Sequence, residues 1–516
     1  MRLIKIRIVF SALIFTLFIL LFFSGEKTAS SLSSVLLSFQ FVPALLKVIS
    51  TPGFLVITGL IFLLVITLLF GRVYCSFLCP LGVMQDFSIA LSRRFGWLKN
   101  HSFQKPVGWL RYSLLTLTIA LALFGSFVLV NLLDPYSLTG RIINHVFEPA
   151  FVWLYNTAIE IPKFFNIYLF QKETAYIPLL ALVITVLFFL GILFISARYG
   201  RLYCNTVCPV GSLLGLISRF SIFKFTLDEN HCTQCLRCET VCKAGCVNPN
   251  DKTIDMTRCV ACFNCVAACP QPAIKYQHVS SFKTQNKWSA QRRGFVIGSA
   301  AAVFSVLLVF NDKMRAAIAA TRRNQKPPVT PPGAVRLLRF THSCSACHLC
   351  VSACPTKVLT PSFFEYGAAG LMQPLMDFEK SFCDYECNVC GKVCPTGAIQ
   401  TLPLEVKKLV QIGKAEIFEE ICVVYVDHNN CGACQLVCPT TPSASSTKIT
   451  SSTPKWITNT ASAAAPANWF ARQRPNPSLS TLSTSTKRQS NMCTQPCLLL
   501  ENKGLALIFP SERRAH

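Results

Sequence analysis

The spacing of its cysteines constrains what this chain can fold into more than any other feature. Cys232, Cys235, Cys238 and Cys242 form C-x2-C-x2-C-x3-C, and Cys259, Cys262, Cys265 and Cys269, followed by Pro270, form it again. Three thiolates on so tight a loop cap three irons of one [4Fe-4S] cubane, and the fourth cysteine, on the helix that follows, points to the neighbouring cluster. The expected sets are Cys232, Cys235 and Cys238 with Cys269, and Cys259, Cys262 and Cys265 with Cys242. Zinc ribbons are the alternative, but they use C-x2-C pairs with a longer spacer and do not need a third cysteine two residues on.

The pattern returns towards the C-terminus. Cys344, Cys347, Cys350 and Cys354, before Pro355, keep the spacing; Cys383, Cys387, Cys390 and Cys394, before Pro395, widen the first gap by one residue; Cys422, Cys431, Cys434 and Cys438, before Pro439, widen it further. Each group offers four thiolates, so up to three more clusters are expected. Cys344 to His348 also reads C-x-x-C-H, the attachment motif of c-type haem, but haem would leave Cys350 and Cys354 idle. Cys246, Cys493 and Cys497 fit no motif.

A hydrophobic fraction of 52%, a mean hydropathy of +0.45 and only 14% charged residues are wrong for a soluble chain of 516 residues, and membrane spans are expected. Uncharged apolar runs occupy Ile8 to Phe23, Thr51 to Phe70, Ser113 to Leu133, Ile177 to Ala197 and Phe295 to Phe310. Arg2, Lys5 and Arg7 before the first run, and Arg72, Arg93, Arg94, Lys99, Lys105 and Arg111 between the second and third, predict a cytoplasmic N-terminus. Alternation then puts the segment from about Gly200 to Arg293 in the cytoplasm and everything after Phe310 outside. The apolar stretches from Val35 to Val48 and Phe151 to Phe170 are expected at the interface.

The second and fourth runs end alike. One reads Gly71-Arg72-Val73-Tyr74-Cys75-Ser76-Phe77-Leu78-Cys79-Pro80-Leu81-Gly82, the other Gly200-Arg201-Leu202-Tyr203-Cys204-Asn205-Thr206-Val207-Cys208-Pro209-Val210-Gly211. The membrane part is thus two copies of one helical hairpin. Brought together, Cys75, Cys79, Cys204 and Cys208 offer a four-thiolate metal site at the cytoplasmic face or a reactive thiol pair. The plainer alternative is that each Cys-Pro only shapes a helix end, with Gly-Arg-x-Tyr as an interface anchor.

The formal net charge of +25 counts every cysteine as neutral, whereas thiolate-bound clusters are anionic. With no basic helix carrying interleaved aromatics, nucleic acid is not an expected partner. Gln291-Arg292-Arg293-Gly294-Phe295-Val296 resembles a twin-arginine signal, which exports folded proteins; an ordinary basic flank is the alternative. Export after cluster loading would spare the cysteines beyond Phe310 from oxidation. From about Thr440 the chain is rich in Ser, Thr, Pro, Ala and Asn, with no acidic residue between Asp427 and Glu501, and is expected to be disordered.

The twinned Gly-Arg-x-Tyr-Cys-x3-Cys-Pro-x-Gly followed by Cys232 to Cys269 resembles the NapH/MauN type of membrane 4Fe-4S ferredoxin, which includes NosR and cytochrome oxidase assembly relatives. The part after Arg292 resembles a NapG/MauM-type exported polyferredoxin. The resemblance implies a fusion: an α-helical membrane domain of four spans as two repeated hairpins (1–220), an α+β ferredoxin-like two-cluster domain in the cytoplasm (221–290), a fifth span (291–312), a linker (313–335), an exported polyferredoxin domain (336–440) and a tail (441–516). It also implies a quinol-dehydrogenase-like electron-transfer subunit in the bacterial inner membrane. Such a subunit draws on the quinol pool or a cytoplasmic donor and delivers to a periplasmic acceptor. A factor for maturation or redox regulation of a metalloenzyme is the alternative.

In NapG-like domains the first cysteine group pairs with the fourth and the second with the third, and here the fourth is missing. The resemblance therefore implies Cys383, Cys387 and Cys390 with Cys438, and Cys422, Cys431 and Cys434 with Cys394. It leaves Cys344, Cys347 and Cys350 without a fourth ligand and Cys354 without a cluster, as a shifted reading frame or a decayed C-terminus would. Two clusters inside and three outside would face each other across about 30 Å of hydrocarbon, so a quinone or another cofactor is expected to bridge them. Asp134-Pro135-Tyr136 with Arg141 is either a quinone contact or, more simply, an ordinary loop.

Overall fold

The computed structural model describes residues 2–23, 35–96, 103–104, 107–123, 126–160, 170–228, 231–248, 250–271, 273–279, 328–367, 370–410 and 412. The expected fifth span with its Arg292-Arg293 flank, the group Cys422, Cys431, Cys434 and Cys438, and the tail from 441 lie outside the described residues.

What is described is mostly helical. Arg2–Phe23 and Leu179–Tyr199 are long and apolar enough to cross a membrane, while Phe54–Phe70 and Gly108–Leu123 are apolar but shorter. Large side chains such as Phe54, Ile61, Leu187 and Phe194 point outward, whereas the small or hydroxylated Thr67, Ala181, Thr185 and Ser196 are buried. That inversion suits helices whose surroundings are as apolar as their own side chains, so that close backbone approach is what holds them together.

The expected third span, Ser113 to Leu133, is not one helix. It stops at Leu123, and separate helices cover Val128–Leu133 and Pro135–Ile142. Ser126, between these helices, is a weak helix former. Asp134 restarts the chain by accepting from the Ser137 amide (2.8 Å) and hydroxyl (2.7 Å), an N-cap with Pro135 at the first helical position. Its carboxylate is thereby accounted for as a helix start.

A ferredoxin-like unit packs at each end of this bundle. In the first, Phe223–Leu227 pairs antiparallel with Ile274–His278, Phe223 opposite His278 and Leu227 opposite Ile274. It is seated by the Arg201 amide on the Lys243 carbonyl (2.8 Å), Asn205 on the Ala244 carbonyl (3.0 Å) and Ser76 on the Val260 carbonyl (2.5 Å). In the second, Leu359–Pro361 pairs with Pro374–Met376. The Met376 amide donates to the Val329 carbonyl (2.9 Å) and that of Gln400 to Gly333 (3.0 Å), so residues expected as linker are part of this unit. Its seat is Ser352 on the Phe22 carbonyl (2.6 Å), Ser50 on the Thr396 carbonyl (2.6 Å), the Lys357–Glu148 ion pair (3.0 Å) and the His145–His348 contact (2.9 Å).

The N-terminal helix measures the span between them. Arg7 pairs with Asp86 (3.1 Å), which also holds Lys243 of the first unit (3.0 Å), and Phe22 meets the second unit. Fifteen residues at 1.5 Å each separate the two levels by about 22 Å.

A Cβ on Gly140 would overlap the carbonyl oxygen of Cys347. Gly140→Ala is expected to loosen the second unit by about 1–3 kcal/mol. Hydrogen exchange should then rise over residues 344–354 and stay unchanged over 232–269.

Candidate metal centres

The loop geometry repeats before any metal is considered. Gln234 and Leu236 flank Cys235 with φ of 52° and 60°, Ala261 and Phe263 flank Cys262 with 51° and 62°, and Ala346 and His348 flank Cys347 with 54° and 62°. Side-chain-bearing residues enter this left-handed region at a cost of about 1–2 kcal/mol each. The turn brings the N–H groups of Arg237, Asn264 and Leu349 onto the sulfurs of Cys235, Cys262 and Cys347, a nest suited to an anion.

In the first unit, Cys232, Cys235, Cys238 and Cys269 line one cavity with Leu227, Leu236, Ala273 and Ile274. Cys259, Cys262, Cys265 and Cys242 form a second, buried set. The structure thus brings together both expected sets. Cys246, which fits no motif, is buried with its Sγ 3.6 Å from that of Cys242, and its amide donates to the same sulfur at 3.4 Å. The Cys246 thiol draws Cys242 down from the usual thiol value to about 6, overriding burial. Spacing gave no hint of this role, because a hydrogen-bonding cysteine has no fixed offset.

In the second unit the described thiolates meet in another pairing than the expected one. Cys354 lines a cavity with Cys383, Cys387 and Cys390, walled by Val358, Leu359 and Met376, and Cys394 faces Cys344, Cys347 and Cys350. The first and second groups therefore complete each other as the motifs of the first unit do, and neither Cys354 nor the Cys344 group is left over. The haem alternative fails here too. His348 has both ring nitrogens engaged, Nδ1 with His145 Nε2 (2.9 Å) and Nε2 with the Met372 carbonyl (2.6 Å).

The twinned motifs meet each other through reciprocal contacts. Gly71 (φ 80°) and Gly200 (φ 68°) end their helices, and Pro80 and Pro209 each start the next one. The arginines cross over: Arg72 donates to the Cys204 carbonyl (3.1 Å) and Arg201 to the Cys75 carbonyl (2.5 Å). A Cβ on Gly82 would overlap the Cys75 carbonyl, and one on Gly211 that of Cys204. Cys75, Cys79, Cys204 and Cys208 are buried in one core cluster. Gly-Arg-x-Tyr is thus the clamp of this site, with Tyr74 on Gln40 (3.1 Å) and Tyr203 on the Leu133 carbonyl (2.9 Å). The paired arginine in both motifs was the signal for it.

The donor sets fit [4Fe-4S] clusters: four thiolates each, apolar walls and inward amides. Every described cysteine is free. Among the described residues no three Cys, His, Asp or Glu side chains are gathered as the ligands of one metal ion would be.

Two outcomes follow. Cys354→Ser should remove about four irons, those of the Cys383 set, and spare the Cys344 set; iron analysis with EPR distinguishes the two. Cys246→Ala should lower the potential of the cluster at Cys242 by roughly 40 mV, one hydrogen bond's worth of preference for the reduced state, without changing iron content in an EPR-monitored redox titration.

Among known proteins, residues 52–97 and 181–227 each match the 4Fe-4S binding domain family, and these stretches carry Cys75, Cys79, Cys204 and Cys208. The methylamine utilization ferredoxin-type protein MauN of Paracoccus denitrificans is 28% identical over 36% of this chain and 51% of its own length. The ferredoxin-type protein NapH of Escherichia coli is 25% identical over 37% and 54%. MauM of Methylophilus methylotrophus is 32% identical over 21% and 48%. The chain thus spans about half the length of these relatives. No solved structure matches it. Twinned cysteine motifs, thiolate sets and these relatives agree in likening the chain to iron–sulfur electron-transport proteins of the NapH/MauN ferredoxin type.

Proposed function

We propose that the chain is a quinol-dehydrogenase-like electron conduit. It takes electrons from the quinol pool or a cytoplasmic donor through one ferredoxin-like unit and delivers them through the other to a periplasmic acceptor protein. The observation that carries this reading is the gradient of exposure along the thiolate sets. Cys235 is exposed, Cys232 and Cys269 are half-buried and so are Cys383, Cys387 and Cys390, with Cys238 and Cys354 the buried members of these outer sets; in the inner sets Cys242, Cys259, Cys262, Cys265, Cys344, Cys347 and Cys350 are buried and Cys394 is half-buried. The outermost set of each unit can meet a partner, and the inner sets face the bundle.

Bound [4Fe-4S] clusters supply single-electron transfer at the four described ferredoxin sets. The chain's own residues hold these sets in order, exclude water from the inner ones and supply the hydrogen bonds that tune them. No side chain here needs to act as nucleophile, acid or base on a substrate. Arg93 reaches the Thr240 carbonyl of the first unit (3.3 Å), and Lys357 ties the second unit to Glu148. Both keep the units aligned with the bundle.

Purified protein in proteoliposomes should oxidise a quinol continuously when given a soluble one-electron acceptor, with turnover far above one electron per cluster. Reduction of the clusters that stops at stoichiometry would contradict the conduit and favour the maturation or redox-regulation role.

A further inference from the structure

The helix Pro135–Ile142 meets the second unit at Gly140, which abuts the Cys347 carbonyl. Tyr136 lies one turn earlier on the same face of that helix. The Asp134 cap fixes the start of the helix, and Phe18 packs edge-on against the Tyr136 ring with centroids 5.4 Å apart. Tyr136 is fully buried, in one core cluster with Cys344, Cys347 and Cys350. Among the described residues its hydroxyl has no oxygen or nitrogen acceptor; the group it reaches is the Cys347 sulfur. A buried hydroxyl left unpaired costs about 1–3 kcal/mol. An ionised or ligating sulfur has no proton of its own and is the acceptor that removes this cost. A quinone head group would need the hydroxyl open to lipid, and it is closed off.

The loop around Cys347 also differs from its counterpart in the first unit. Cys344-Ser345-Ala346-Cys347 corresponds to Cys259-Val260-Ala261-Cys262. Ser345 is buried, and its hydroxyl likewise lacks an oxygen or nitrogen partner among the described residues and reaches the Cys347 sulfur; the first unit has valine there. Each sulfur faces one inward amide, that of Leu349 or of Asn264. The bundle touches the first unit's loop at the backbone, Ser76 on the Val260 carbonyl (2.5 Å), but the second unit's loop at the sulfur. Two side-chain hydroxyls therefore converge on Cys347, one from the unit itself and one from the bundle.

We propose that Tyr136 is a positioning residue through which the membrane bundle sets the reduction potential of the second unit's inner set: its hydroxyl donates to the Cys347 sulfur, and does so only while the unit is seated on the bundle. Hydrogen bonds to ligating sulfurs are one of the quantities that fix a cluster's potential. A donor on sulfur favours the more negative, reduced form and so raises the potential, while the hydroxyl keeps its proton in both forms. Ser345 donates from within the unit and acts whether or not the unit is seated. Tyr136 acts across the interface, so that docking and potential are coupled through one hydroxyl. This role rests on Cys344, Cys347, Cys350 and Cys394 holding a [4Fe-4S] cluster, and does not depend on quinol being the donor.

The test is an EPR-monitored redox titration of the anaerobically purified full chain beside Tyr136→Phe, which keeps the ring and removes the hydroxyl, with iron and acid-labile sulfide counted in each. At equal iron, Tyr136→Phe should lower the reduction equilibrium constant of the inner set about fivefold, which at 59 mV per tenfold is about 40 mV, and leave the first unit's midpoints where they are. Gly140→Ala, which loosens the seat, should lower the same midpoint when Tyr136 is present and have much less effect in Tyr136→Phe, whereas Ser345→Ala should lower it in both backgrounds. An unmoved midpoint in Tyr136→Phe at equal iron overturns the proposal, and equal effects of Gly140→Ala in the two backgrounds overturn its dependence on seating. Loss of the set's iron in Tyr136→Phe would make the residue a structural prop and overturn its role as donor. A native chain lacking the iron of this set would remove the cluster reading of these cysteines and the proposal with it.

Discussion

Arginine side chains drawn into an apolar bundle carry positive charge where solvent cannot screen it, and the rest of this structure is arranged around that constraint. Removing a charge from water costs several kcal/mol unless partners go with it. The crossing of Arg72 and Arg201 between the two repeats supplies such partners. Asp86 then holds Arg201, Arg7 and the first unit's Lys243 around one carboxylate. The same contacts that neutralise the interior therefore also fix the first ferredoxin-like unit to the membrane helices.

Symmetry follows from the same demand. Each repeat offers one arginine to a cysteine carbonyl of the other, and one hairpin alone would leave that arginine without its acceptor. Gly82 and Gly211 have no Cβ, and each thereby leaves room for its own motif's cysteine carbonyl and the other motif's arginine, with which a side chain would collide. The two ferredoxin-like units repeat this logic at another scale, each cavity being closed by a cysteine from the other motif: Cys269 in the first unit, Cys354 in the second.

Much of this was legible in the sequence. A C-x2-C-x2-C-x3-C run encodes a loop whose geometry the thiolates dictate, so the first unit's sets could be read from spacing alone. The repeat was visible because its glycine, arginine, tyrosine and proline each do a backbone or clamp job that few residues can do. The pairing of Cys354 with the Cys383 set was hidden by analogy, since a missing fourth group looked like a loss, whereas local closure of neighbouring motifs needs none. The break before Val128 was masked by an unbroken apolar run, for hydrophobicity reports burial or lipid contact and not helix continuity. Seating of the second unit depends on His145, Glu148 and Gly140, whose importance arises from contacts some 200 residues away in the chain. No local pattern could announce it.

The most direct measurement is a redox titration of the whole anaerobic protein followed by EPR, with iron and acid-labile sulfide counted per chain. The account predicts a brown protein with iron and sulfide in equal amounts, about four of each per ferredoxin set, whose reduced centres broaden one another's signals because they lie in a row. A colourless protein holding zinc, or clusters that titrate as isolated and magnetically independent species, would contradict it.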